Sequence, residues 1–112
     1  MDMLPRIKNV KLGNINVNDS DMTGNFFLHA KGVEHIDGKL SKKECQKMLL
    51  RDPEVLVLST GFMGRAKIPE DVIELAGKSA ELHLLRTQDA IERFKEFARK
   101  GKNVVAYIHV GE

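Results

Sequence analysis

The stretch VLVLSTGFMGRAKIPEDVIELAG, residues 55–77, decides the fold of this chain. Its apolar run at 55–58 predicts a strand that is buried on both faces, which is typical of a parallel sheet. A loop containing Gly61 and Gly64 follows, and Pro69 then occupies a position that suits the first turn of a helix. The stretch therefore predicts a strand, a loop and a helix in that order.

The same alternation continues along the chain. Strands are predicted at 80–85 and 104–110, with a longer helix at 87–100 between them. We expect Thr87 to cap that helix and Gly101 to end it. Strands that alternate with helices in this way form a parallel sheet with right-handed crossovers.

The first forty residues follow a different pattern. Weakly alternating apolar residues, interrupted by glycines, predict an antiparallel meander with one exposed face. A helix is then predicted to begin at Ser41, because Ser41 and Glu44 have the spacing of a capping box. We therefore predict a single domain over residues 1–112, of the α/β class, whose meander extends the parallel sheet or packs on it.

Composition narrows the class of protein. The chain has 18 Lys and Arg residues against 16 Asp and Glu residues, mixed along its length, which disfavours nucleic-acid binding. Cys45 is the single cysteine, so no intrachain disulfide can form. The longest apolar run, residues 104–108, is far shorter than the ~20 residues that span a bilayer. With no signal-peptide pattern, we expect a cytoplasmic protein that does not bind membranes.

Polar residues follow the predicted strands at the ends where ligands gather in parallel sheets. They offer hydroxyls, an imidazole, guanidinium groups and loop N–H groups, which suit an anion or a carboxylate. Lys67 adds a second basic residue beside Arg65 as a rim that attracts anions. The candidate ligand-binding residues are Ser59, Thr60, Gly61, Phe62, Gly64, Arg65, Arg86, Thr87 and His109.

Established catalytic and cofactor motifs do not fit these residues. Gly61 and Gly64 supply only G-x-x-G, and the helix after them begins late and with Glu70, whose charge repels phosphate, so a dinucleotide loop is disfavoured. The chain lacks G-x-S-x-G, and no acid is clearly placed to orient His109 for a Ser–His hydrolase. The four histidines lack the spacing of a metal site. We therefore expect no cofactor and no metal, and we assign no catalytic residue.

Two functional hypotheses are favoured over a third, RNA binding, which predicts an affinity that depends on salt. The first is a non-catalytic binding or assembly-type protein that engages an unknown protein partner or small ligand at the predicted crevice. The second is a protein, or an enzyme, that takes a small anion or carboxylate in the same crevice. The absence of a complete catalytic set favours the first.

Three segments resemble one known family in their order and spacing: VLVLSTGFMGRAKIPEDVIE, LHLLRTQDAIERFKE and GKNVVAYIHV. The family is a small one of unknown function that includes an adipogenesis-associated protein and a mitochondrial complex I assembly factor. Residues 59–61 are similar to its [GS]-T-G loop, Thr87 with Ala90 to its threonine before an alanine-containing helix, and His109 to the histidine that ends its closing strand.

The chain also departs from that family pattern. Arg86 stands where the family usually has proline, Phe94-Lys95 where it has Tyr-Asn, and Gly111-Glu112 where it has Thr-Cys. No cysteine is therefore present there for chemistry. The resemblance implies three layers, with helices on one side of a parallel-containing sheet and an antiparallel element on the other. It also implies an assembly or binding role without an established catalytic set. Either a monomer or a homodimer is compatible with the sequence.

Overall fold

The computed structural model describes residues 4–112, so the expectation that no signal peptide is present falls partly on residues outside it. The described chain folds into eight strands and three helices. The strands are β1 (Ile7–Lys11), β2 (Asn14–Val17), β3 (Ser20–Met22), β4 (Phe26–His29), β5 (Gly32–His35), β6 (Val55–Ser59), β7 (Glu81–Leu85) and β8 (Val104–Ile108). The helices are α1 (Lys42–Leu49), α2 (Glu70–Ser79) and α3 (Thr87–Arg99).

The first three strands form the predicted antiparallel meander. They pair in the order β1-β2-β3, and they make a sheet separate from the other five strands. Ile15, Val17 and Met22 are buried, whereas the residues between them are largely exposed. This alternation gives the sheet one apolar face, which packs on α3 and on the larger sheet.

The larger sheet has the strand order β5-β4-β8-β6-β7. β6 lies between β8 and β7 and is parallel to both. All of its residues are buried, as the apolar run at 55–58 predicts. β4 and β5 extend the sheet with antiparallel pairing on the other side of β8. The predicted α/β class with a parallel-containing sheet is confirmed.

Helices cover both faces of the larger sheet. α1 and α2 pack on one face, where Met48 and Val72 contact the same core as Leu56. α3 packs on the other face beside the meander, so Phe94 shares a core with Ile15. The chain moves from β6 to β7 in one direction across the sheet and returns past β6 to reach β8. Right-handed crossovers in opposite directions place α2 and α3 on opposite faces. The expected three layers are present, but the expectation that the helices lie on one side of the sheet is wrong, because α3 lies in the layer of the meander.

The helix starts follow the predictions at α1 but not at α3. Ser41 caps α1, since its Oγ accepts a hydrogen bond from the Glu44 N–H at 3.3 Å. The expectation that Thr87 caps α3 is wrong. Arg86 is the N-cap residue, and no side chain caps this helix. Thr87 lies at the buried end of the sheet. Its hydroxyl donates instead to the His109 carbonyl, which has no partner in the strand ladders. None of the helices in residues 4–112 has both the length and the apolar character that a bilayer crossing requires.

Candidate functional site

The carboxyl ends of β8, β6 and β7 lie side by side at one edge of the larger sheet. This adjacency brings together the segments that follow the three strands, and a single crevice requires that they be close. The connections after β6 and β7 lead to helices on opposite faces of the sheet. Such a divergence opens a crevice outside the strand ends.

Two buried hydroxyls hold the backbone of His109. Strand pairing of β8 ends at Tyr107 on one side and at Ile108 on the other, so the next residue has no ladder partner. The Ser59 Oγ accepts a hydrogen bond from the His109 N–H at 2.5 Å, and the Thr87 Oγ1 donates to the His109 carbonyl at 2.7 Å. Both hydroxyl residues are fully buried. They extend the sheet by one residue and fix the position of His109.

The β6 loop, residues 60–69, holds the segment that follows β8. The N–H groups of Phe62, Met63 and Arg65 donate to backbone oxygens of residues 111–112 at 3.0, 2.8 and 3.2 Å. Gly61 has a φ of +93°, and a Cβ atom there would overlap the backbone of residue 112. The loop is therefore a cradle of backbone donors, but it is occupied by the protein's own chain.

A pocket of about 390 Å³ opens beside the β6 loop, and we call it the basic pocket. Three cationic residues, Lys39, Arg65 and Lys67, line it together with Tyr107 and His109. Glu112 and the apolar residues Leu40, Ala66 and Ile68 complete its lining. The pocket thus combines positive charge with an apolar surface.

The three cations of the basic pocket differ in their partners. Arg65 forms an ion pair with Glu112, with 3.0 Å between Nη1 and Oε2. Lys39 and Lys67 form no ion pair with any carboxylate in residues 4–112. Two ammonium groups at one concave site, without acidic partners, attract anions.

Tyr107 and His109 add neutral polar groups to the basic pocket. The Tyr107 Oη lies 3.1 Å from the His109 Nδ1, at hydrogen-bonding distance. Burial lowers the pKa of His109, and the charge of Lys39 lowers it further. Burial raises the pKa of Tyr107 to about 12, with hydrogen bonding from the Leu40 backbone as a smaller opposing effect. At neutral pH the imidazole and the phenol are therefore uncharged and serve as hydrogen-bonding groups.

Because His29 and His109 are partly buried, we expect the protein to lose stability as the pH falls. Burial is the main cause that lowers the pKa of both His29 and His109 from 6.5, so the folded state binds fewer protons than the unfolded state below that pH. The free energy of unfolding should fall as pH drops from 7.5 through 6.5 towards 5. Urea unfolding curves across this range measure the loss. The double variant H29Q/H109Q should show a smaller loss, and an unchanged pH dependence would contradict this cause.

The structure separates the predicted site residues into two groups. Arg65 and His109 line the basic pocket, whereas the other seven act in the surrounding structure. Ser59 and Thr87 hold the backbone of His109, and the Thr60 Oγ1 donates to the Leu85 carbonyl. Phe62 is buried in the core on the side of the sheet that α3 covers. Gly61 and Gly64 have positive φ angles, and the Arg86 side chain lies against Gly64.

Sequence reasoning missed several residues of the basic pocket. Tyr107 could have been found, because it lies two residues before His109 and strand residues at that spacing share a face. Lys39 precedes α1 and lies far along the chain from the β6 loop, so no local pattern identifies it. Within residues 4–112, no three His, Cys, Asp or Glu residues cluster closely enough to hold a metal ion.

Comparisons with known proteins agree with this architecture. A family model described as "Protein of unknown function (DUF498/DUF598)" matches residues 7–109. No curated protein matches the chain.

Solved structures show the same fold across nearly the full length of the chain. A conserved hypothetical protein from Pyrococcus horikoshii is 22% identical, with a TM-score of 0.81 over 96% of this chain and 99% of that one. A protein from Bartonella henselae, described as an outer membrane protein, is 20% identical, with a TM-score of 0.81 over 99% and 98% of the two chains. A Mth938-like domain from Bordetella pertussis is 17% identical, with a TM-score of 0.77 over 96% and 87%. At these identities the similarity shows the fold alone.

Proposed function

We propose a binding function for this chain, which belongs to the DUF498/DUF598 family of proteins of unknown function. The proposed ligand is a small organic anion that enters the basic pocket. The observation that carries the proposal is the convergence of Lys39, Arg65 and Lys67 on one concave site, where neither lysine has an acidic partner among the described residues.

The rest of the lining supports an organic body on that anion. Leu40, Ala66 and Ile68 offer apolar surface, and the ring of Tyr107 lies beside them. A volume of about 390 Å³ falls within the range of small-molecule sites. The neutral imidazole of His109 can hydrogen bond to a polar group of the ligand without adding charge. A carboxylate attached to a short carbon chain satisfies all of these features.

The assembly role that the family resemblance implies would use the same cations of the basic pocket. An acidic side chain of a protein partner would meet the same cations in place of a small anion. The proposal concerns binding, and it assigns no catalytic step to Ser59, Thr60 or His109.

Succinate is a suitable probe, and the double variant K39A/K67A should weaken its binding by roughly ten-fold at low ionic strength. Each exposed charge contact contributes about 0.2–1 kcal/mol, and two of them are removed. Isothermal titration calorimetry at constant ionic strength measures the dissociation constant. Higher salt should weaken binding to the wild-type protein, because these contacts are screened.

Lys43→Ala is the matched control for one lysine. Lys43 is an exposed lysine on α1 outside the basic pocket, so its replacement removes the same charge without touching the proposed site. It should leave the affinity for succinate nearly unchanged. An equal loss of affinity in K43A, or no binding of succinate to the wild-type protein, would contradict an anion site in this pocket.

A further inference from the structure

Arg65 is already paired with an anion of the protein itself. Its Nη1 lies 3.0 Å from the Glu112 Oε2, and both residues line the basic pocket. The backbone of Glu112 is held by the N–H groups of Met63 and Arg65, so the carboxylate is tethered beside the guanidinium. The two side chains are 69% and 56% exposed, which leaves the carboxylate free to rotate towards solvent.

This pairing sets the charge that the pocket offers to a ligand. The side chains of Lys39, Arg65 and Lys67 contribute three positive charges, and the side chain of Glu112 contributes one negative charge. Because the carboxylate of Glu112 lies on Arg65, the two lysines are the cations left without a partner within the described chain. A ligand with one anionic group can neutralise only one of them.

We propose that Glu112 occupies Arg65 and so withholds it from the ligand, and that the pocket consequently selects organic anions that carry two negative charges, one for each remaining lysine. This inference rests on the proposed function and specifies its ligand class. The two anionic groups meet Lys39 and Lys67, and the carbon chain between them lies on the apolar lining. Dicarboxylates have this chemistry.

Succinate and butyrate distinguish the charge requirement from simple anion binding. Both have four carbons, and they differ in the second carboxylate. Succinate should bind wild-type protein roughly five-fold more tightly than butyrate, because a second charge near a cation at the surface contributes about that factor. Equal affinity for succinate and butyrate would overturn the selection for two charges.

Glu112→Gln tests directly whether Glu112 withholds Arg65 from the ligand. It should tighten the binding of succinate and butyrate roughly two- to five-fold, the range expected when Arg65 becomes available for one more exposed charge contact. Glu74→Gln is the matched control, because Glu74 is also an exposed glutamate paired to a cation, Lys78, at 3.0 Å, and it lies outside the basic pocket. This control adds the same net charge to the protein and should leave both affinities unchanged.

Arg65→Ala completes a double-mutant cycle with Glu112→Gln. In the R65A background, E112Q should have a much smaller effect on the dissociation constant, because Arg65 is the cation that E112Q makes available. An unchanged or weaker affinity in E112Q alone would overturn this role of Glu112. If K39A/K67A still weakens succinate binding in that case, the proposed anion site stands and only this inference fails. If succinate binds neither the wild-type protein nor any of the variants, both proposals fail.

Discussion

Gly61→Ala is expected to destabilise the protein by about 3 kcal/mol or more. Gly61 has a φ of +93°, a conformation that costs an L-amino acid roughly 1–2 kcal/mol. The new Cβ would also overlap the backbone of Glu112. Forcing a methyl group into a packed site costs roughly a further 1–3 kcal/mol. Because the obstruction is backbone, the strain cannot be relieved by rotation of a side chain.

Gly101→Ala separates the two causes of this loss. Gly101 has a φ of +79°, but a Cβ atom there would meet no heavy atom within 4 Å. Its replacement should therefore show the conformational cost alone, about 1–2 kcal/mol. Urea unfolding of both variants gives the difference. Equal losses would show that the contact between the β6 loop and residue 112 contributes nothing to stability.

Hydrogen exchange provides a local test of the same contact. The N–H groups of Met63 and Arg65 donate to the backbone of Glu112, so Gly61→Ala should increase their exchange rates if it displaces that segment. The N–H of Cys45, which donates to the Ser41 carbonyl at the start of α1, should be affected only through global stability.

The elements that could be predicted from the sequence are those formed by local pattern. The apolar run at 55–58 forms an interior strand, β6, because a strand buried on both faces tolerates four consecutive apolar residues. Ser41 caps α1 because its partner, Glu44, lies three residues away. Each of these two signals lies within its own short stretch of chain.

The position of the basic pocket could be predicted from the sequence, whereas most of its lining residues could not. Parallel strands predict a crevice at their carboxyl ends, and the basic pocket lies there. The sequence also offers the N–H groups of the β6 loop to an anion, yet several of them are bonded to residues 111–112. Which distant segment satisfies a loop's donors depends on tertiary packing, as does the arrival of Lys39 in the pocket. No periodicity or spacing in the sequence carries that information.

Thr87 shows how a tertiary contact overrides a local preference. A threonine before an amphipathic helix usually caps it, but here its hydroxyl donates to the His109 carbonyl. That carbonyl lies one residue beyond the end of β8, where strand pairing no longer supplies a donor. A buried carbonyl without a donor costs more than an uncapped helix end that water can reach.

Removal of the two hydroxyls that hold His109 is the second change with a large expected effect. Thr87→Val keeps the shape of the side chain but leaves the His109 carbonyl without its 2.7 Å hydrogen bond. Ser59→Ala removes the acceptor of the His109 N–H. Leaving a buried polar group unsatisfied costs about 1–3 kcal/mol, so each variant should lose that amount of unfolding free energy. Thr87→Ser, which keeps the hydroxyl, should retain most of the stability.

The double variant S59A/T87V tests whether the two hydroxyls act together to position His109. Both hold the backbone of the same residue, so once one is lost His109 can shift and the second contact weakens. The combined loss should then be smaller than the sum of the two single losses. Because the Tyr107 Oη lies 3.1 Å from the His109 Nδ1, a shift of His109 should also change the NMR signals of both rings. Strictly additive losses with unchanged ring signals would show that Ser59 and Thr87 stabilise the sheet edge without positioning His109.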